Sequence, residues 1–411
     1  MPSHMHIEMG RWSLKALGAR QRAFWRSVED ELPELCTMPD RYFAEPEKWR
    51  RYVALPGGHV LPHGPTDAQF TDVSFAHHGD RRVARFALSH LIGELVRALR
   101  ANDPVESARF GGSLAHYVQD CSGPAHVVNH YLLLRLVPPP ARLRNIHRPL
   151  DDVSVPRPPR FRPRVLGTCV PEIAFHAEAE LQRIVELALA AVVPALQAIR
   201  ARKGGVLPSL LSPSCHAAVR LVSSLWHTCF CVARGAIAQS ALRGLRAVPL
   251  SERRPDDAFT LDPYPWEPRR DAGIHESGAL LPLRLRVSRG GRSYLATFRD
   301  GLAMVHGHAF FRIPAGVYRA FSVRIGILAR PPQAGKVVFR VVLGDSPPSY
   351  ESGTARILDM GGRVARTVTL SASSLSRAIR VPLGRARGIA LLADASPFAT
   401  HVAWVHPVLL K

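Results

Sequence analysis

One stretch of the chain, GSLAHYVQDCSGPAHVVNH starting at position 112, carries the side chains best suited to chemistry. It places His116 and Asp120 four residues apart on a predicted helix. Side chains at that spacing leave the same face of a helix one turn apart, where an imidazole nitrogen and a carboxylate oxygen can bind one metal ion. A helix continued to His126 would rotate that residue away from the pair, but Gly123 and Pro124 interrupt the helix and let the chain turn back.

A second pair, His176 and Glu180, repeats this spacing on the next long predicted helix. Helical bundles build metal centres from inward-facing imidazole and carboxylate groups, because the scaffold holds the ligands and leaves a coordination position open. Such ligands without cysteine suit zinc, and manganese or iron less well. The alternative interpretation makes His176 and Glu180 a surface pair and His116 a hydrogen-bonded core residue. The set as a whole predicts a metal centre.

Helical periodicity dominates the part of the chain that carries these residues. Apolar residues recur at helical spacing over 12–28, 83–99, 105–120, 171–201 and 214–245. After the polar, Pro-rich linker the residue pattern changes. Short apolar runs follow at 321–328, 336–343, 363–370, 378–383, 388–393 and 402–409. Six short strands at this spacing predict an antiparallel β-sandwich. We therefore expect a multidomain α-then-β fold, with a mostly helical domain at 1–250, a linker at 251–272 and a jelly-roll sandwich at 273–411.

The net positive charge of the chain is compatible with an anionic substrate but does not identify one. Its 411 residues carry a net charge of +21, yet only five of the 54 basic residues are lysines. Such an Arg-rich balance attracts anionic substrates in general. The apolar stretches are too short and too interrupted to span a bilayer, so we expect no integral membrane segment. The N-terminal segment shows no apolar core of a signal peptide.

Residues 10–245 resemble the superfamily of zinc-dependent phospholipases C and single-strand-specific zinc nucleases. The resemblance rests on H-x3-D-x5-H with a proline two residues before the last histidine, followed by H-x3-E on the next helix. That family is mostly helical, and it holds three zinc ions. The metal ligands that the resemblance implies here are Asp40, His63, His116, Asp120, His126, His176 and Glu180, with His59 as the alternative to His63.

The resemblance also implies the chemistry. Two or three zinc ions would activate a water molecule that hydrolyses a phosphodiester substrate, either phospholipid or nucleic acid. Asp40, at the edge of the cluster, is the candidate catalytic residue that takes or steers a proton, and its alternative role is that of a turn residue after Pro39. The family suggests an extracytoplasmic location.

One departure from the family pattern concerns the N-terminus. The family completes its metal cluster with an N-terminal tryptophan and a histidine shortly after it. This chain begins MPSHMHIEMGRW, and the predicted helix after Trp12 has no histidine at the expected place. His4 and His6 are the available substitutes, and the sequence gives no signal that selects either.

The C-terminal region, 298–411, resembles the carbohydrate-binding-module-like domain that is often attached to glycoside hydrolases, a galactose-binding-like jelly roll. The matching features are the strand GKVVFRVVLGD and a final H-x-x-W. The resemblance implies a glycan ligand, with Asp394, His401 and Trp404 as candidate contacts; in the alternative, Trp404 is a core residue. The rival to the hydrolase is thus a non-catalytic binding protein with a degenerate metal site, whose function resides in the sandwich.

Overall fold

The computed structural model describes residues 4–42, 44–56, 81–128, 150, 153–260, 268–274, 278–329, 335–351, 354–397 and 400–411. The chain forms two compact units, which divide between Arg243 and Gly244. His59 and His63 lie outside the described residues.

The first unit is helical. The α-helices described there are α1 (His4–Lys15), α2 (Ala19–Phe24), α3 (Glu31–Leu35), α4 (Met38–Arg41), α5 (Pro46–Val53), α6 (Arg81–Arg100), α7 (Pro104–Asp120), α8 (Pro124–Val127), α9 (Val170–Arg200), α10 (Leu207–Ala233) and α11 (Gln239–Leu242). Short 3₁₀ turns at Arg26–Val28 and Gly204–Val206 lie between them.

Helix α7 lies at the centre of this unit and carries His116 and Asp120. The Asp103 carboxylate begins the helix by accepting a hydrogen bond of 2.9 Å from the Glu106 amide. From the second turn onward nearly every residue of α7 is buried, since α1, α3, α6 and α10 pack around it. A helix enclosed in this way offers its polar side chains little water, so His116 and Asp120 need partners within the protein.

Two helices differ from the sequence prediction. Helix α1 begins at His4 and ends at Lys15, whereas the periodicity predicted one helix over 12–28. Helix α10 ends at Ala233 and does not continue to residue 245. The cause is Gly235, which takes up a left-handed backbone conformation (φ 62°) and lets the next amide bond back to a carbonyl of the last turn.

Helix α9 is the one described helix that is long and apolar enough to cross a membrane by length and composition. Of its most apolar window, 44% is buried inside the chain. Core helices of folded proteins pass the same test, so this is weak evidence for a membrane span.

The second unit is built from antiparallel β-strands. Those described are β1 (Ala247–Pro249), β2 (Asp257–Thr260), β3 (Arg269–Arg270), β4 (Ala272–Ile274), β5 (Leu280–Arg289), β6 (Arg292–Phe298), β7 (Gly301–Met304), β8 (Gly307–Arg312), β9 (Ala320–Ile327), β10 (Lys336–Leu343), β11 (Ser349–Tyr350), β12 (Ile357–Asp359), β13 (Arg363–Ser371), β14 (Arg377–Pro382), β15 (Gly388–Ser396) and β16 (Val402–Leu410).

Two sheets form the body of this unit. One has the strand order β14-β9-β16-β7-β3, with β1 added against β16, and the other has the order β13-β10-β15-β8-β2. Phe339 of the second sheet meets Trp404 of the first edge to face, with ring centroids 5.3 Å apart, so these two side chains lie between the sheets. The prediction of a helical region followed by an antiparallel β-sandwich is confirmed, and each of the six predicted strands corresponds to an observed one. Within the segment 251–272, β2 and β3 pair with β8 and β7.

Candidate functional site

The position of His116 follows from a close approach of two backbones. A Cβ atom on Gly112 would lie 2.6 Å from the Leu35 carbonyl oxygen, so only glycine lets the end of α3 come this close to α7. One turn later, the Cys36 carbonyl accepts a hydrogen bond of 2.9 Å from His116 Nδ1. Because a carbonyl can only accept, Nδ1 carries a proton, and Nε2 is the nitrogen left to bind a metal ion.

His6 reaches the same place from α1. A Cβ atom on Gly10 would lie 2.9 Å from Cys36 Sγ, so α1 also packs tightly on the segment after α3. His6 is one turn before Gly10, and its ring stacks on that of His116 with centroids 4.7 Å apart. Its Nδ1 is 2.8 Å from Gln119 Oε1, which makes Nδ1 the donor and again leaves Nε2 as the ligand atom.

Both Nε2 atoms converge on one carboxylate. His6 Nε2 lies 3.2 Å from Asp120 Oδ1, and His116 Nε2 lies 3.1 Å from Asp120 Oδ2. The three side chains are buried, with exposed fractions of 7%, 2% and 5%. In the described part of the chain, they form the group of metal-ligand side chains whose donor atoms all lie within 4.8 Å of one another.

These residues fit a metal ion. His116 Nε2 is buried and lies 3.1 Å from Asp120 Oδ2. A buried imidazole nitrogen that faces a carboxylate needs a cation between the two atoms, either a proton or a metal ion. Two imidazoles and a carboxylate are a common zinc ligand set. The Cys36 carbonyl and Gln119 Oε1, which accept from the two Nδ1 atoms, are outer partners of the kind that orient such ligands.

Two further predicted residues border this cluster. Asp40 on α4 has Oδ1 3.7 Å from His116 Nε2, and its side chain is 37% exposed. His126 on α8 has Nδ1 3.9 Å from Asp120 Oδ2, because the chain turns at Gly123 after α7 ends. A cavity of about 40 Å³ opens beside the cluster. Its lining includes Met5, His6, Met9, Asp120, His126 and Cys215.

The electrostatics of the cluster favour an ion pair in the metal-free chain. Burial lowers the pKa of His116, but the charges of Asp120 and Asp40 outweigh it and raise this pKa to about 9. Burial pushes the pKa of Asp120 upward, yet the charges of His116 and His126 hold it well below its usual range. A bound cation would replace the proton on His116.

The second predicted pair, His176 and Glu180, has other partners. Glu180 Oε1 lies 2.5 Å from Arg164 Nη2 and 3.1 Å from Arg183 Nη1. His176 Nε2 lies 4.0 Å from Oε1 of the fully buried Glu172. Neither residue belongs to the group of three ligands found in the described residues.

The candidate sugar contacts of the β unit lie in different environments. Trp404 is fully buried against Phe339 and so presents no ring face to solvent. His401 precedes β16, and its carbonyl accepts a hydrogen bond from the Leu328 amide. Asp394 on β15 is 38% exposed, and it accepts a hydrogen bond of 2.9 Å from Arg340 Nη1.

Two groups of residues were missed by reasoning from the sequence. His6 was considered only as a substitute ligand, although His6, Gly10 and Ser13 share one face of α1, which is the signal that could have selected it. In the β unit, Tyr350 lies over Phe259 and His308 near Asp394, and no motif in the sequence marks this cluster.

Comparisons with known proteins give few matches. No family model and no curated protein match the chain. Among solved structures, it is similar to the CBM51-2 and INT domains of Clostridium perfringens ZmpB (16% identity, TM-score 0.30, 40% of this chain and 32% of that chain). It is also similar to the CBM51 domain of Clostridium perfringens GH95 in complex with methyl-galactose (14% identity, TM-score 0.27, 40% of this chain and 99% of that chain).

Both of these neighbours are carbohydrate-binding domains. The matched region spans about a third of the ZmpB chain. At such identities and TM-scores the likeness carries no functional argument. The comparisons give no support to the resemblance between the helical unit and the zinc phosphoesterases, which stays a prediction.

Proposed function

We propose that the helical unit binds zinc through His6, His116 and Asp120 and hydrolyses phosphate esters at that centre. The observation that supports this is the convergence of two imidazole Nε2 atoms, each oriented through its Nδ1, on the two oxygens of one buried carboxylate. When bound there, zinc would polarise a phosphoryl oxygen and lower the pKa of a water molecule.

The residues of the chain supply the rest of the chemistry. Asp40 lies beside the cluster and is partly exposed, so its carboxylate can accept a proton from an attacking water and pass it to solvent. The net charge of +21 favours encounter with an anionic substrate. The phosphodiester substrate class, phospholipid or nucleic acid, and the count of two or three zinc ions come from the family resemblance alone.

The test measures zinc per chain by plasma mass spectrometry together with hydrolysis of bis(4-nitrophenyl) phosphate, phosphatidylcholine vesicles and single-stranded DNA. We expect at least one zinc ion per chain and hydrolysis that falls in Asp40→Asn while zinc is retained. Stoichiometric zinc without hydrolysis of any of these substrates would overturn the enzyme and leave a metal-binding scaffold. Absence of zinc after reconstitution would overturn both parts of the proposal.

A second function belongs to the β unit, for which we propose glycan binding. The observation that favours it is a half-buried aromatic ring, Tyr350, beside the partly exposed carboxylates of Asp257 and Asp394. Aromatic faces and carboxylates together suit ligands with both apolar and hydroxyl-bearing surfaces. Binding of the labelled full chain to a printed glycan array tests this function independently of hydrolysis.

A further inference from the structure

We infer that the glycan site of the β unit is the outer face of the β13-β10-β15-β8-β2 sheet, where a neutral sugar ring packs on Tyr350 and donates hydrogen bonds to Asp394 and Asp257. This inference rests on the proposed glycan-binding function of the β unit and specifies the surface that binds the glycan. It replaces Trp404, whose ring is enclosed between the sheets, as the aromatic contact.

The strand register shows which residues share the outer face. Arg340 pairs with Leu392, Leu392 with His308, and His308 with Phe259, so one cross-strand row runs over β10, β15, β8 and β2. The neighbouring residue Phe339 points the other way, toward Trp404. The row therefore faces away from the sandwich core.

Tyr350 lies flat on this row. Its ring is parallel to His308 within 8°, with centroids 5.5 Å apart, and stacks on Phe259 with centroids 4.3 Å apart. Both rings that Tyr350 contacts are neighbours on one cross-strand row, so the tyrosine packs against this surface of the sheet. The residue is only partly buried.

The ring is held in place by a chain of polar contacts. The Tyr350 hydroxyl lies 3.2 Å from Nδ1 of the buried His308, and Nε2 of this histidine lies 2.9 Å from Asp257 Oδ1. His306 adds a contact of 3.1 Å to the Ala355 carbonyl, which ties the chain after β11 to the same sheet. A platform fixed before binding loses little conformational entropy when a ligand arrives.

The charges around the platform select the ligand. The side chains of Asp257 and Asp394 are 46% and 38% exposed, and the Arg340 guanidinium pairs with Asp394. Burial raises the pKa of Tyr350, and the charges of Asp394 and Asp257 raise it further. Two carboxylates repel phosphate or sulfate groups, whereas each accepts hydrogen bonds from sugar hydroxyls. The apolar C–H face of a sugar ring can then cover the aromatic ring.

The experiment screens the labelled full chain against a printed array of neutral, sulfated and sialylated oligosaccharides and measures the strongest neutral binder by calorimetry. We expect Tyr350→Ala and Asp394→Asn each to weaken binding at least tenfold. Tyr294→Ala, which removes an exposed tyrosine of β6, is the matched control and should leave affinity unchanged. Tyr350→Phe keeps the ring and should bind within threefold of the natural chain.

The outcomes separate the site from the function. Binding that persists at full strength in both Tyr350→Ala and Asp394→Asn would overturn the site and leave glycan binding intact. Failure of the natural chain to bind any array glycan would overturn both. A preference for sulfated or sialylated glycans would overturn the argument that the two carboxylates disfavour anionic ligands. Should Tyr350→Ala fail to fold, Asp394→Asn still decides the result, since unchanged affinity in that variant would overturn the site.

Discussion

The helical unit and the β unit gather their polar side chains by different means. In the helical unit, His6, His116 and the Cys36 carbonyl come from three distant segments, which meet because Gly10 and Gly112 let their backbones approach. In the β unit, strand register alone places His308 beside Phe259. Substitutions away from the ligands should therefore disturb the first site more than the second.

The largest effect tests the helical centre itself. Asp120→Asn removes the charge on which both Nε2 atoms converge, so we expect zinc affinity to fall more than about 100-fold, beyond the loss typical of outer partners. Zinc per chain after dialysis against a weak chelator measures it. Glu94→Gln is the control, because Glu94 on α6 pairs with Arg97 and belongs to no predicted ligand set. Zinc retained by Asp120→Asn would show that the ion binds elsewhere.

The second prediction tests the role of backbone approach. The added methyl in Gly112→Ala meets the Leu35 carbonyl, and relieving that overlap should cost about 1–3 kcal/mol of unfolding free energy. Urea unfolding followed by tryptophan fluorescence measures the loss. Gly204→Ala is the matched control, since a Cβ there has nothing within 4 Å. Equal stability of the two variants would contradict the idea that this contact positions His116.

The third prediction concerns ligand orientation. Gln119→Leu removes the oxygen that accepts from His6 Nδ1, so the ring loses its fixed tautomer, and zinc affinity should fall about 10- to 100-fold. Competition with a fluorescent zinc indicator measures this affinity, while circular dichroism checks the helix content. If His6→Ala abolishes binding and Gln119→Leu leaves it unchanged, Gln119 does not orient the ligand.

The smallest expected effect is a pH dependence of local stability in the β unit, around His308. Burial lowers the pKa of His308, although Asp257 opposes this. Because the folded pKa lies below that of the unfolded chain, near 6.5, the stabilising contribution is present above that pH and is lost as pH falls. Hydrogen-exchange protection of β11 and β12, corrected for the intrinsic rate, should drop between pH 7 and 5, and His308→Asn should flatten the profile. Protection independent of pH in the natural chain would contradict this role.

The sequence was informative where the signal is local. The Val-rich run 336–343 is bounded by turn residues, and it reappears with the same bounds as β10 (Lys336–Leu343). The four-residue spacing of His116 and Asp120 placed both on one face of α7, where they lie side by side.

Other features depend on contacts that no local pattern reports. His6 meets Gln119 across 113 positions of sequence, and only the packing of α1 brings the two together. Tyr350 belongs to a strand of two residues, too short to show any period. Both positions are decided by tertiary packing, which overrides what their neighbours in sequence suggest.

Helix α1 can pack in its final position only after α10, which follows it in the chain, has been synthesised. Ser13 Oγ donates to the Val219 carbonyl, and Ser223 Oγ donates back to the Ser13 carbonyl, so α1 is held by contacts with α10 about 206 to 210 positions later. At ribosomal rates these partners emerge on the order of 10–40 seconds after His6. During that interval the nascent chain carries His6 without the helix against which α1 packs. The proposed metal centre can therefore be completed only after α10 has been made.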